Sequence, residues 1–263
     1  MNTNKNINNN SLRTYQKDTP QYKLYSEMYK NQTLDFTKRK HSEYSKLNKT
    51  KMSIKKALLL LNDFVDPSDP DLDIENSIHS YQTAERIRKH YPDNKEFQLI
   101  GLIHDLGKVL YLFKEPNWMV VGDTYALGCE FPKSIVYYEA LKQSPEYNKY
   151  DKYGIYSKNC GIDNLWLSFG HDEYLYTVLK GNKNHKISQK YMDVIRYHSF
   201  YPWHFSGEYK HLMNEKDEKT LQNVLEFNTF DLYSKNDSVI ITDDTKKYYD
   251  RLLDEYFEGE LNW

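Results

Sequence analysis

Leu99-Ile100-Gly101-Leu102-Ile103-His104-Asp105-Leu106-Gly107-Lys108 places an imidazole, a carboxylate and, a turn later, an ammonium in an otherwise apolar run. Ionisable groups inside apolar surroundings are costly unless paired or bound to metal. On a helix, neighbouring residues diverge by about 100°, so His104 and Asp105 are not expected to clamp one ion symmetrically. A carboxylate with two oxygens can instead reach across to a second ion, which predicts a two-metal site bridged by Asp105. Lys108 lies four residues after His104 and three after Asp105, over the same face, where it can meet a substrate oxygen. Alone, the stretch also fits a solvated His-Asp-Lys cluster at a helix end, so partners elsewhere in the chain must decide.

Outward from that stretch, apolar residues recur at helical spacing. Residues 21–44 read as one long amphipathic helix. Ser53 is a candidate N-cap for a buried helix ending near Val65, and residues 78–90 form a helix carrying His79 near its start. Residues 134–141 read as a short helix. A helix follows His171-Asp172, another runs from Ser188 to His198 before Pro202, and two more cover residues 221–232 and 244–257. Between them lie a loop rich in aspartate and proline at residues 66–73 and a broken stretch from Phe113 to Pro132, whose Trp118-Met119-Val120-Val121-Gly122-Asp123 looks like a pocket wall. Neither a phosphate-cradling glycine loop nor an alternating strand pattern is present. The chain reads as all-α, with one domain over residues 12–263 behind an Asn-rich tail, residues 1–11, expected to be disordered.

Composition narrows the function. Across 263 residues, 36 Lys and Arg face 38 Asp and Glu, and no basic cluster stands out, which argues against nucleic acid or an anionic membrane as partner. No apolar stretch is long enough to span a bilayer. Two cysteines, Cys129 and Cys160, form neither CxxC nor a secreted framework, so a reducing cytoplasm is the expected setting, and the absence of a heptad seam points to a monomer.

His79, His104, Asp105, His171, His198 and Asp231 all sit in apolar or aromatic helices, at separations of 25, 1, 66, 27 and 33 residues. Four imidazoles and two carboxylates match a dinuclear site of nitrogen and oxygen donors with open positions for substrate. His41, His90, His185 and His211 lie among polar residues and read as surface positions. His204, after Pro-Trp, is ambiguous, and Asp172 need not ligate.

A helix with His, a second with His-Asp and a late Asp resembles the HD-domain superfamily of metal-dependent phosphohydrolases. The likeness is closer to one branch. Leu102-Ile103-His104-Asp105-Leu106-Gly107-Lys108, Val121-Gly122-Asp123-Thr124, Ser168-Phe169-Gly170-His171-Asp172-Glu173-Tyr174-Leu175-Tyr176 and His198-Ser199-Phe200-Tyr201-Pro202-Trp203-His204 resemble the motifs of the myo-inositol oxygenase family. That resemblance implies a helical bundle around a mixed-valent pair of iron ions, Fe(II)/Fe(III), using O2 to open the ring of myo-inositol to D-glucuronate. It implies that His79, His104 and Asp231 hold one iron and His171 and His198 the other, with Asp105 between them. It assigns Lys108 and Asp105 catalytic parts, and it places Arg13, Asp66, Ser68, Lys108, Gly122, Asp123, His198 and Ser199 against the substrate, with Pro67 standing where the family carries an acidic residue. The competing reading, an HD-type phosphohydrolase, would want several Arg or Lys near the metals to hold phosphate.

Overall fold

The computed structural model describes residues 19–61, 64, 76–232 and 240–263. The Asn-rich tail with Arg13, and the 66–73 loop with Asp66 and Ser68, lie outside the described residues, as does the boundary expected at residue 12.

Eleven α-helices and one two-residue strand pair are seen among the described residues. The first two, α1 (Pro20–Asn31) and α2 (Leu34–Tyr44), replace the single long helix expected there. The break has a local and a distant cause. Thr33 caps α2 by accepting from the Phe36 N–H, while the buried Gln32 amide donates to the Phe169 carbonyl at 2.7 Å and accepts from its N–H at 3.0 Å. Gln32 therefore satisfies a chain segment 137 residues away instead of continuing the helix. After β1 (Lys51–Met52) comes α3 (Ile54–Leu60), capped by the Ser53 hydroxyl as its sequence predicts.

The centre of the fold is an αα-hairpin of α4 (Asn76–His90) and α5 (Lys95–Ile103). From Phe97 to Ile103, α5 is buried at every position, as an apolar-all-round helix must be. Its approach to α4 depends on a missing side chain: a Cβ on Gly101 would lie 2.8 Å from the Ala84 Cα. The helix ends at Ile103 with His104 as its C-cap, and the chain re-forms as a 3-10 helix at Leu106–Phe113. A short α6 (Asn117–Val120) follows. Residues 134–137 are not helical as expected; Tyr137 takes a left-handed conformation (φ 52°) and a 3-10 turn occupies Tyr138–Gln143.

The second half packs around α7 (His171–Gly181) and α8 (Gln189–Tyr197). The short α9 (Tyr201–His204) has Pro202 in its first turn; beyond it lie α10 (Asp217–Asp231) and α11 (Asp243–Tyr256). The C-terminal β2 (Leu261–Asn262) pairs antiparallel with β1, and the buried Trp263 indole donates to the Met52 carbonyl at 2.9 Å. A continuous apolar core runs from Leu24 to Trp263, with a smaller aromatic cluster between α1 and residues 125–141. Among the described residues, no helix is long and apolar enough to cross a membrane. The structure is thus the mostly helical single domain that the sequence pattern predicts.

Candidate metal centre

All six of the expected donors are buried, and they come together in space. His79 stands in the first turn of α4, and His104 and Asp105 follow α5. His171 opens α7, His198 caps α8, and Asp231 closes α10. His104 closes α5 as its C-cap and Asp105 leads into the 3-10 helix, both still in the right-handed helical region, so it is the reach of the two side chains that brings His104 Nε2 to 3.6 Å from Asp105 Oδ2. Asp231 Oδ1 is 2.9 Å from His79 Nε2 and 3.3 Å from His104 Nε2. On the other side, Asp105 Oδ1 is 3.4 Å from His171 Nε2 and 3.6 Å from His198 Nε2. Ligand atoms of His79, His104 and Asp105 lie within 4.8 Å of one another, as do those of Asp105, His171 and His198. Asp105 is common to both sets, turning one oxygen to each.

Tautomers test whether these residues suit metal. The Nδ1 sides of His104, His171 and His198 meet the carbonyls of Gly101 (2.9 Å), Val120 (2.9 Å) and Ile195 (2.7 Å). A neutral imidazole has one N–H; spent on a carbonyl, it leaves Nε2 as a lone pair. Yet Nε2 of His171 and Nε2 of His198 face each other at 3.3 Å, beside a carboxylate oxygen. Acceptors that close repel unless a positive charge sits among them. Donors bound about 2.1 Å from a cation, at about 90° to 109° to one another, lie about 3.0–3.4 Å apart, close to the distances found here. Backbone carbonyls behind ligating imidazoles are also the usual outer support of such sites. The donor set fits a pair of metal ions.

Electrostatics agree. Burial alone would raise both carboxyls, but Lys108 and His104 hold Asp105, and His104 and His79 hold Asp231, well below the usual carboxylate range. Burial keeps the His171 imidazole low despite the pull of Asp172 and Asp105. His198 goes the other way: burial opposes its protonation, but the hydrogen bond with Asp105 and the charge of Asp172 push it up to about 9. The cluster thus draws positive charge to the His171–His198 side, a proton or a metal that replaces it.

Comparison with known proteins completes the picture. Residues 19–263 match the family model of myo-inositol oxygenase. The chain is 46% identical over 246 residues to the inositol oxygenase of Danio rerio, covering 92% of this chain and 88% of that protein. Against the Dictyostelium discoideum inositol oxygenase it is 49% identical over 251 residues, 90% of this chain and 86% of the relative. With the human inositol oxygenase it shares 43% over 248 residues, 92% and 86% of the two chains. This chain belongs to the myo-inositol oxygenase family.

Of the remaining positions that the family resemblance marks, Lys108 and Ser199 touch the cluster, while Gly122 and Asp123 lie between Val120, whose carbonyl meets His171, and Thr124, whose N–H donates to the Ser199 carbonyl. Lys108 is buried, its Nζ donating to Asp105 Oδ2 at 2.9 Å. Ser199 Oγ is 3.4 Å from His171 Nε2. Gly122 takes φ +99°, open to glycine, and a Cβ there would meet the Met28 methyl at 2.6 Å. Asp123 is held from behind by Tyr25, whose hydroxyl donates to Asp123 Oδ1 at 2.8 Å and accepts from its N–H at 3.0 Å.

Several supporting residues were not anticipated. The Thr124 hydroxyl donates to buried Asp172 at 2.7 Å, and its N–H donates to the Ser199 carbonyl at 2.9 Å. His204, left ambiguous by sequence, is buried and neutral, burial pushing it down to about 4; its Nε2–H donates to the His198 carbonyl at 2.9 Å, beside the Asn228 amide at 3.1 Å. Asn228 is three residues ahead of Asp231, a spacing that could have drawn notice. Of the four histidines read as surface, His90 is exposed, while His185 and His211 are half-buried. His41 is also half-buried, set edge-on against Trp166 and Phe169 at 5.2 Å each; its polar neighbours in sequence conceal that aromatic slot.

Proposed function

We propose that this protein is an inositol oxygenase that uses O2 to open myo-inositol to D-glucuronate at a mixed-valent pair of iron ions. One observation carries the reading: Asp105 lies between two sets of imidazole donors in a chain whose relatives, 43–49% identical, are named inositol oxygenases. In this reading His79, His104 and Asp231 hold one iron, His171 and His198 the other, and Asp105 both. The bound pair supplies Lewis acidity toward a polyol hydroxyl and the one-electron chemistry that O2 requires.

The rest of the work falls to the chain. A neutral polyol offers no charge to grip, so recognition rests on directed hydrogen bonds. Lys108 Nζ, anchored on Asp105, is the proposed donor to a substrate hydroxyl. The Asp123 carboxylate, oriented by Tyr25, accepts from another, and Ser199 can do either. Gly122, packed against Met28 and Tyr25 at a positive φ, is proposed as a contact on the family resemblance. Arg13, Asp66 and Ser68 are proposed as further contacts on the family resemblance alone. Burial of Lys108 and Ser199 keeps bulk water from the reacting carbons. The same reading makes the protein a cytoplasmic monomer; the free Cys129 and Cys160 suit a reducing compartment, and size-exclusion chromatography tests the monomer.

Iron-loaded protein in an oxygen electrode should consume O2 on addition of myo-inositol and yield glucuronate in step. No uptake, with phosphate released from phosphate esters instead, would overturn the reading in favour of a phosphohydrolase. That outcome runs against Lys108, a cation beside the centre that already has a carboxylate partner.

A further inference from the structure

Glu173 lies two residues after His171 on α7, and Arg196 two residues before His198 on α8. Positions two apart on a helix point about 200° from each other, so this pair sits on the outer side of the two helices whose inner side carries the facing imidazoles. Arg196 Nε donates to Glu173 Oε2 at 2.7 Å, with the side chains only 11% and 4% exposed. The guanidinium is packed over the rings of Tyr176 (4.7 Å) and Tyr197 (5.3 Å), and Nη1 donates to the Tyr197 hydroxyl at 3.1 Å. The pair forms part of the wall of a cleft of about 520 Å³ that also takes in His41, Trp166 and Lys180. A buried ion pair is seldom worth more to stability than well-packed apolar residues; its best-attested use is to fix register.

We propose that Glu173 and Arg196 are positioning residues for the second metal: by locking α7 to α8 in one register, the pair holds His171 and His198 at the spacing that binds it. The inference rests on the two-metal reading above. Because the lock is a directional bond between two helices rather than a general packing contact, its loss reaches the His171–His198 side and leaves the His79–His104–Asp231 side in place.

The test is a metal titration of the full chain by calorimetry with Fe(II) under anaerobic conditions, checked by metal analysis after gel filtration, on wild type, Glu173→Gln and Arg196→Lys. Wild type should take up two equivalents. Glu173→Gln should bind one equivalent as wild type does and the other about 10–100-fold more weakly. Arg196→Lys, which keeps the charge and loses the planar fork, should fall between. Two equivalents bound by Glu173→Gln with unchanged affinity, even if its melting temperature drops, overturn the proposal, as does equal weakening of both. Should Glu173→Gln fail to fold, Arg196→Lys decides by the same criteria. A wild type that binds a single equivalent would instead refute the two-metal reading.

Discussion

His79 and His104 reach Asp105 from two helices whose backbones all but touch, whereas His171 and His198 reach it from helices registered by a buried ion pair. The first arrangement fixes a distance by steric contact, through Gly101 against Ala84. The second fixes an orientation, through the directional bond of Arg196 to Glu173. Contact tolerates changes of charge but not of volume, and directional bonds tolerate the reverse. The two regions meet at Asp105 and again at Gly107, where a Cβ would lie 1.7 Å from the His171 carbonyl oxygen, so the 3-10 helix runs directly against the start of α7.

The sharpest way to break the comparison is at the residue both regions share. Asp105→Asn leaves Lys108 buried without its carboxylate, and removing one partner of a buried charge pair costs about 3–5 kcal/mol. Thermal unfolding of the metal-free variant should show that loss, metal content should fall on both sides, and oxygen uptake should vanish. Retention of either metal equivalent at wild-type affinity would mean that Asp105 serves only one region. Next in size is Gly101→Ala. Its methyl must push α4 from α5, an overpacking cost of about 1–3 kcal/mol reduced by the gain of about 1 kcal/mol in helix propensity. The equivalent bound by His79, His104 and Asp231 should weaken while the other holds, the mirror image of Glu173→Gln.

This division also explains what could be read in the chain beforehand. Donors such as His104 and His171 are visible because a costly group in an apolar run demands a partner, and the demand is local. What holds them is only partly local: His104 turns its Nδ1 to Gly101 three residues back, but His171 turns its own to Val120, 51 residues away. Tyr25 and Asp123 are 98 residues apart, and neither neighbourhood hints at the other. The break between α1 and α2 escapes notice for the same reason, since Gln32 answers to Phe169. His104 and Asp105 were expected on a continuing helix, and the change to a 3-10 helix at Leu106 has no signal beyond the apolar pattern it shares with α5. Thr124 and Asp172 each stand inside a motif, yet their bond to one another is visible only in the fold.

That bond offers a smaller perturbation of the second region. Thr124→Val keeps shape and removes a hydroxyl donated to a buried carboxylate, a hydrogen bond of about 1.5–3 kcal/mol. The melting temperature should fall accordingly. Because Thr124 follows Gly122 and Asp123 and ties them to Ser199, KM for myo-inositol should rise more than kcat falls. Thr124→Ser should restore both. A Thr124→Val enzyme with unchanged KM would show that the substrate-contact loop is held without this tie.

The smallest expected effect lies on the outer face of the same region, at His41. Burial pushes its imidazole below the ordinary value, Glu173 pulls it back up, and Arg196 lowers it again. An unfolded histidine titrates near about 6.5, so the folded chain binds fewer protons at this site than the unfolded chain just below that pH. By linkage its contribution is whole above about pH 6.5 and is lost as the pH falls toward the depressed folded value. Wild type should therefore lose melting temperature on acidification more steeply than His41→Phe, which keeps a ring between Trp166 and Phe169 but carries no proton. Parallel slopes would mean that the aromatic slot does not disfavour the charged imidazole. In a Glu173→Gln background the upward pull is gone, so the histidine's window should extend to lower pH; the size of that extension measures how strongly the carboxylate that locks α7 to α8 is also felt across the cleft at α2.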